Sequence, residues 1–248
     1  MATALSVNLN KIALLRNSRE GNYPNVAEFA QIAIDAGAKG ITVHPRPDQR
    51  HIRPSDVYTL SDLVANNAGI EFNIEGNPFE SALGSYPGFM ALIDATRPHQ
   101  ATLVPDNNDQ LTSDHGFDLV ADGEKLTPII QQLQQWGVRI SLFMDPSSAQ
   151  ITEAKKLGAD RIELYTGPYA AHFNGEHHQT TLARYKAAAL HAQEIGLEVN
   201  AGHDLNLNNL EEFLTIPHII EVSIGHALTV EALEMGYKNT VAAYSKIC

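Results

Sequence analysis

Short apolar runs alternate along the chain with longer segments in which apolar residues recur at helical spacing. Eight of the short runs are mostly rich in Val, Ile, Leu or Phe, as expected for strands buried on both faces of a sheet. In the segment 25–36, Val26, Phe29 and Ala33 follow the helical period, and the pattern stops at Gly37. The predicted strands are residues 6–10, 40–44, 71–75, 101–105, 139–145, 161–166, 198–203 and 221–226.

The junction from helix to strand repeats along the chain. In four segments a helical pattern ends at a glycine, and a strand pattern begins about three residues later. Glycine tolerates the left-handed conformation that closes a helix, so each junction has the form of a turn between a helix and the next strand. The four segments are residues 35–43, 135–143, 156–164 and 194–202.

Eight strands that alternate with helices over 248 residues predict a (β/α)8 TIM barrel with extra helices, in which residues 1–248 form a single catalytic domain. The extra helices are expected in the long segments 77–99 and 106–137. An open doubly wound sheet is the alternative, but no Gly-x-Gly-x-x-Gly turn for a dinucleotide follows the first strand. The barrel is therefore the favoured fold.

The composition narrows the class of protein. A formal net charge of −12 leaves the chain without the basic surface that nucleic-acid phosphates require. No apolar run reaches the roughly 20 residues of a membrane helix, and the N-terminus lacks the pattern of a signal peptide. Cys248 is the single cysteine, so no intrachain disulfide can form, which favours a cytoplasmic protein. We expect small-molecule partners, with no nucleic acid and no membrane.

The predicted strands end in polar residues, and barrel enzymes place their catalytic groups at these ends. A lone histidine there is usually a loop contact, and Glu75 alone would suit a salt bridge to a pocket arginine. Several such groups at one end of a barrel indicate an active site, because they are costly to bury without partners. A desolvated carboxyl has a raised pKa that suits acid–base catalysis, and histidines transfer protons near neutral pH. The main candidates are Asn8, Asn10, His44, Glu75, Glu163, His203 and His226.

Arginines are concentrated in two predicted loops of this acidic chain. Arg16 and Arg19 follow the first strand, and Arg46 and Arg50 follow the second. The planar guanidinium suits the oxygens of a phosphate, whereas the alternative is a solvated basic loop. The local excess of arginine favours an anion-binding site.

Glycines precede two of the strand-end histidines. Gly202 and Gly225 stand before His203 and His226, where barrel enzymes often bind phosphate with backbone N–H groups. A glycine chosen only for a tight turn is the alternative. Strand-end carboxylates and histidines would also suit a divalent cation. We predict no metal, because the candidates come one per strand without a local pair of ligands.

Eight motifs, one at each predicted strand end, give the chain a specific resemblance. They are SVNLNKIALLRNSR (6–19), GITVHPRPDQRHI (40–52), FNIEGNP (72–78), TLVPDNNDQLTSDHG (102–116), SLFMDP (141–146), RIELYTGPYA (161–170), EVNAGH (198–203) and SIGHAL (223–228). With these motifs the chain resembles the pyridoxine 5′-phosphate synthase family of vitamin B6 biosynthesis. The motifs span nearly the whole chain, so the resemblance does not depend on any one of them.

The resemblance implies an enzyme that condenses 3-amino-2-oxopropyl phosphate with 1-deoxy-D-xylulose 5-phosphate. The products are pyridoxine 5′-phosphate, phosphate and water, and the family needs no cofactor. The family forms octamers built from dimers, so a homo-oligomer is expected.

By resemblance, Glu75, His44 and His203 transfer protons, and Glu163 matches a polar position in the sixth strand. Positions that hold the amino-ketone phosphate match Asn8, Arg19, Gly225 and His226. Positions that hold the pentulose phosphate match Arg46, His51 and Thr112, and the segment 106–118 around Thr112 is a candidate lid.

Two sites depart from the family pattern. Many members carry Asp-His where this chain has Asn10 and Lys11, and glycine where it has Asp204. Asn10 can bind a sugar hydroxyl but cannot act as a base, and Asp204 would repel a phosphate unless only its backbone faces the ligand. Both remain candidate binding residues, and the departures suggest a variant subgroup. The alternatives are a metal-dependent sugar-phosphate isomerase or aldolase and a non-catalytic phospholigand-binding paralogue.

Overall fold

Eight parallel strands close into a barrel in a computed structural model that describes residues 2–107 and 109–248. Neighbours along the chain pair with each other, and the first strand pairs with the last, for example Leu5 with Val222. The predicted (β/α)8 fold is confirmed. The strands are β1 Ala4–Asn8, β2 Gly40–Val43, β3 Glu71–Gly76, β4 Gln100–Leu103, β5 Arg139–Met144, β6 Arg161–Tyr165, β7 Glu198–Gly202 and β8 Ile219–Ile224.

Helices surround the barrel. Asn25 begins α2 by accepting the Ala27 N–H at 2.9 Å, and Gly158 ends α6 in the left-handed conformation with φ 94°. The helices are α1 Asn10–Asn17, α2 Val26–Asp35, α3 Pro54–Ala65, α4 Phe89–Thr96, α5 Leu119–Gln135, α6 Ser148–Leu157, α7 Gly167–His172, α8 His178–Glu194, α9 Leu210–Phe213, α10 His226–Met235 and α11 Tyr237–Ile247.

The first and last strands were predicted two residues too far along the chain, at 6–10 and 221–226. Asn10 opens α1 instead of ending β1, because the Asn8 side chain accepts the Asn10 N–H at 3.0 Å and turns the backbone. His226 likewise opens α10, whose first turn closes when the Thr229 N–H donates to the Gly225 carbonyl. The other six strands differ from the prediction by at most two residues at either end.

The placement of the extra helices was wrong. They lie in the connections after β1, β6 and β8, each of which contains two helices. The described residues of 77–88 and 106–118 form no helix. Segment 77–88 instead docks on the β2–α3 loop, where the Gln49 side chain donates to the Ser85 hydroxyl at 2.7 Å.

The barrel interior is polar, although the strands were predicted to be apolar on both faces. Outward residues such as Leu5, Val7 and Ile41 are fully buried in the apolar layer around the barrel. Their inward neighbours hydrogen-bond across the interior, as Ser6 does with Thr42 at 2.7 Å. Alternate residues of each strand therefore point into the barrel interior, and the polar ones at the carboxyl ends of the strands face the same end of the barrel.

No helix among the described residues is long and apolar enough to cross a membrane.

Candidate active site

A cavity of about 260 Å³ lies at the carboxyl ends of the strands. It brings together twelve of the candidate residues, and Thr112 with its neighbours Leu111 and Ser113 forms one wall. Residue 108 of the predicted lid lies outside the described residues. The candidates that line the cavity are Asn8, Asn10, His44, Arg46, His51, Glu75, Thr112, Glu163, His203, Asp204, Gly225 and His226.

Of the four arginines predicted to bind an anion, Arg16, Arg19 and Arg50 do not line the cavity. Arg50 pairs with Asp48 and donates to the Gln110 carbonyl at 2.8 Å. Arg19 is exposed and does not line the cavity, and its guanidinium donates to the Ser18 carbonyl at 3.0 Å. Arg16 was placed in a loop, but it lies in α1 with 1% of its surface exposed. It pairs with Asp56 and donates to the His51 carbonyl at 3.0 Å. Arg16 therefore anchors the β2–α3 loop to the start of α3.

Glu75 stands at the end of β3 with 8% of its surface exposed. Its carboxyl accepts weak hydrogen bonds from the Asn8 amide at 3.3 Å and the Ser223 hydroxyl at 3.5 Å. Burial, and then the negative charges of Asp106 and Glu221, raise the pKa of Glu75 to about 8. Glu75 therefore exchanges a proton close to neutral pH.

The amide of Asn8 has a defined orientation. Its oxygen accepts the Asn10 N–H at 3.0 Å, so its NH2 group faces Glu75. Gly225 allows this arrangement, because a Cβ there would lie 3.0 Å from the Cβ and 3.2 Å from the carbonyl oxygen of Asn8. The turn from β8 to α10 thus packs directly against the residue that orients Glu75.

His44 follows β2 between two carboxyl groups. Its Nδ1 is 3.9 Å from Glu75 Oε2, and its Nε2 is 3.8 Å from Asp106 Oδ2. Burial and the positive charge of Arg46 lower the pKa of His44 well below its usual value, so the ring is neutral. Its backbone N–H donates to the Asn10 side chain at 2.9 Å. The amide oxygen of Asn10 is thus used to position His44.

His203 faces the same cavity from the end of β7. Its ring packs 5.2 Å from Phe143 and 5.4 Å from Tyr165, measured between centroids. Burial lowers the pKa of His203, whereas Asp204 acts in the opposite direction. Both His203 and Asp204 have positive φ, at 81° and 59°. Asp204 is exposed at the rim of the cavity.

Glu163 is the deepest acid of the cavity. It is 2% exposed, and its Oε2 has no hydrogen-bond partner among the residues that the structure describes. Burial, and then the charges of Glu75 and Glu221, raise its pKa well above the usual value. Gly202 leaves the space that it fills, since a Cβ there would lie 2.3 Å from Glu163 Oε1. Glu163 is therefore a buried neutral acid in the cavity wall, with one carboxyl oxygen left without a partner among the described residues.

One side of the cavity carries a cation and a neutral donor. Arg46 is 2% exposed, pairs with Asp106 and donates to the Asn107 carbonyl at 3.1 Å. His51 Nδ1 accepts the Ile52 N–H at 2.9 Å, so its ring proton is on Nε2. Burial and the proximity of His44 lower the pKa of His51 to about 2. This side suits an anion because His51 donates without needing a charge.

The amino end of α10 forms another part of the wall, after β8, which is separated from β2 by β1 alone. His226 and Ala227 line the cavity, and no side chain caps the helix. The free N–H groups and the positive end of a helix dipole bind anions such as phosphate. Two parts of the cavity wall therefore carry hydrogen-bond donors that suit an anion.

Sequence reasoning missed Asp106 and Ser223. Ser223 lies two residues after Glu221, so the inward period of β8 could have identified it. Asp106 directly follows the end of the predicted strand 101–105, but it was treated only as part of a lid. The described residues contain no group of three or more His, Cys, Asp or Glu arranged to hold a metal ion.

Comparison with known proteins identifies the family. Residues 5–248 match the family model of the pyridoxal phosphate biosynthesis protein PdxJ. A pyridoxine 5′-phosphate synthase of Xanthomonas campestris pv. campestris is 57% identical, covering 100% of this chain and 96% of the relative. The synthase of Xylella fastidiosa is 53% identical over 99% of this chain and 94% of the relative. This chain belongs to the PdxJ family.

Solved structures outside the PdxJ family share its fold. Phosphoribosylanthranilate isomerase of Thermotoga maritima superposes with a TM-score of 0.57 at 8% identity, covering 99% of this chain and 98% of that one. The BexX/CysO complex of Amycolatopsis orientalis contains a chain with a TM-score of 0.62 at 13% identity, covering 99% and 88%. These similarities bear on the barrel alone. Membership of the PdxJ family supports the synthase prediction and gives no support to its two alternatives.

Proposed function

We propose that this chain is a pyridoxine 5′-phosphate synthase, a transferase that condenses 3-amino-2-oxopropyl phosphate with 1-deoxy-D-xylulose 5-phosphate. The proposal rests on one observation: Glu75, His44 and His203 line one cavity together with Arg46, His51 and the amino end of α10. Holding two substrates in line removes up to roughly 7–11 kcal/mol of the barrier. From the family and the single cysteine, we also propose a cytoplasmic homo-oligomer.

The two anion sites divide the substrates between them. The amino end of α10 binds the phosphate of the amino ketone, next to Asn8 and Gly225. Arg46 and His51 bind the phosphate of the pentulose, with Thr112 above them. The reacting amine and ketone then meet over Glu75. Since Arg19 is exposed in one copy of the chain, it contributes to phosphate binding only if its segment moves or another copy is present.

Different environments divide the acid and base roles between the carboxyl groups. Attack of the amine on the ketone forms an imine and releases a hydroxyl group, which needs a proton to leave as water. Glu163, held neutral by burial, donates that proton. Loss of the pentulose phosphate requires removal of a proton from carbon, and Glu75 in its ionised form accepts it. His44 and His203 are neutral and pass protons between these groups during ring closure.

Formation of product tests the proposal directly. The protein is incubated with both substrates in a buffer containing EDTA, and pyridoxine 5′-phosphate is detected by its absorbance while released phosphate is measured separately. We expect equal amounts of the two products. Turnover that requires added metal would support an isomerase or aldolase, and calorimetric binding of the pentulose phosphate without product would support a non-catalytic paralogue. Either result overturns the proposal.

The pH dependence of kcat/KM should reflect Glu75. As a base, Glu75 must be ionised in the free enzyme, and its pKa is about 8. Below that pH its protonated fraction grows, so kcat/KM should rise about tenfold per pH unit and level off above pH 8. Steady-state rates between pH 6 and 9.5 would measure this. A profile that falls with rising pH would contradict the assignment of Glu75 as the base.

Gly225→Ala should weaken binding of the amino ketone. The new Cβ would press on Asn8 at 3.0 Å and displace the amino end of α10. We expect KM for that substrate to rise roughly tenfold, with a smaller change for the pentulose phosphate. Gly175→Ala is a matched control, because its Cβ approaches a carbonyl oxygen at 3.2 Å in a loop that does not line the cavity. Equal changes for both substrates would argue against a phosphate at α10.

A further inference from the structure

A buried carboxylate outside the predicted set of site residues connects three parts of the cavity. Asp106 lies just after β4 with 2% of its surface exposed. Its Oδ2 pairs with Arg46, lies 3.8 Å from His44 Nε2 and accepts the Ser113 hydroxyl at 2.8 Å. One oxygen atom thus contacts a proposed phosphate ligand, a proposed proton carrier and the wall formed by residues 111–113.

The backbone around Asp106 is itself anchored. Its carbonyl accepts the Asn77 amide at 2.8 Å, so β3 and β4 are tied together immediately above the barrel. Arg46 also donates to the Asn107 carbonyl at 3.1 Å. The carboxylate therefore has a fixed position relative to both Arg46 and His44.

Asp106 faces one ring nitrogen of His44 at 3.8 Å, and Glu75 faces the other at 3.9 Å. A neutral imidazole carries one proton, and a nearby carboxylate stabilises the tautomer whose N–H faces it. With the proton on Nε2 toward Asp106, the lone pair of Nδ1 faces Glu75 Oε2 at 3.9 Å. In this tautomer His44 is oriented to take a proton from Glu75 once substrate closes the remaining gap.

We propose that Asp106 is a positioning residue for the synthase reaction: it fixes Arg46 and the tautomer of His44, and it engages the 111–113 wall through Ser113. This inference rests on the proposed function. Asp106 does not touch substrate in this scheme, because Arg46 and His44 lie between it and the reacting atoms. Asp106 therefore contributes to kcat more than to substrate binding, because Arg46 keeps its charge when Asp106 is replaced by a neutral residue.

Asp106 also leaves an electrostatic signature on Glu75. After burial, its negative charge is the largest cause that raises the pKa of Glu75. Removing that charge lowers the pKa, so the rising limb of kcat/KM should move to lower pH. A residue with only a structural role would change stability without moving this limb. The charged or titratable groups around Glu75 are His44, Arg46, Asp106, Glu163 and Glu221.

Asp106→Asn tests the proposal by removing the charge while keeping the shape. We expect kcat to fall at least about tenfold, as when the carboxylate behind a catalytic histidine is replaced, with KM for the pentulose phosphate changing less than threefold. The rising limb of kcat/KM should lie at lower pH than in the wild type, and Asp106→Glu should restore its position. Asp109→Asn is the matched control, because it removes the same charge from an exposed position of the same loop.

A variant with kcat within twofold of wild type and an unshifted limb would overturn the proposal. A change in KM alone would overturn it too, because Asp106 would then act only on phosphate binding. If Asp106→Asn fails to fold by circular dichroism, Ser113→Ala replaces it. That variant removes one hydrogen bond to Asp106 and should lower kcat several-fold, whereas an unchanged kcat would overturn the proposal. Glu75→Gln tests the proposed function separately from the role of Asp106. If Glu75→Gln loses activity while Asp106→Asn behaves like the wild type, only the role of Asp106 fails.

Discussion

Glu75→Gln is expected to lower kcat by about 10²–10⁴-fold while the barrel stays folded. The amide has nearly the same shape and can still contact Asn8 and Ser223, but it cannot accept a proton from carbon. Single-turnover assays with both substrates, with circular dichroism as a check on folding, would measure the loss.

A matched variant separates charge from catalysis. Glu71→Gln makes the same chemical change on the same inward face of β3, at the far end of the barrel. Glu71 pairs with Arg139, so this variant should lose some stability and keep its turnover. Near-normal turnover by Glu75→Gln would remove Glu75 from the mechanism, whereas equal loss in both variants would indicate a general effect on the barrel.

Arg16→Ala is expected to lower the free energy of unfolding by about 3–5 kcal/mol. Arg16 is 1% exposed, and its removal leaves Asp56 without its ion pair and the His51 carbonyl without a donor. Removing one partner of a buried ion pair leaves the other charge buried and uncompensated, which costs more than breaking an ion pair on the surface. Urea unfolding followed by circular dichroism would measure the change in midpoint.

Arg19→Ala provides the control for this second prediction. It removes the same side chain three residues later at an exposed position, so its effect should stay within about 0.5 kcal/mol. The double variant Arg16→Ala and Asp56→Ala should be less destabilised than the sum of the two single variants, because the pair is already broken. Equal effects of Arg16→Ala and Arg19→Ala would show that the buried pair adds little.

The barrel could be predicted because its signal is periodic. The alternation of strands and helices and the glycines that end helices are local properties of the chain, and so is the clustering of polar residues at strand ends. The same pattern placed His44, Glu75 and His203 at one end of the fold, where the structure has them lining one cavity. The ends of β1 and β8 were predicted two residues too late. The contacts of the Asn8 side chain and the turn at Gly225 end these strands early without changing their period.

The misassigned residues depend on partners that are distant in sequence. Arg16 looked like part of a basic loop because its buried partner, Asp56, belongs to the next β/α unit. Asp106 escaped notice because a loop has no period, and its contacts are with Arg46 and His44 in the loop after β2. Composition and periodicity reveal which groups are present at an end of a barrel, but not which of them pair.

The proposed binding of two phosphates in the cavity that Glu75 lines is tested most directly by a crystal structure of the Glu75→Gln variant with both substrates bound. One phosphate should lie on the backbone N–H groups at the start of α10, and the other between Arg46 and His51. The amine of one substrate and the ketone of the other should then lie between them, within hydrogen-bonding reach of residue 75. Phosphates bound elsewhere, or a substrate held by a metal ion away from this residue, would contradict the account.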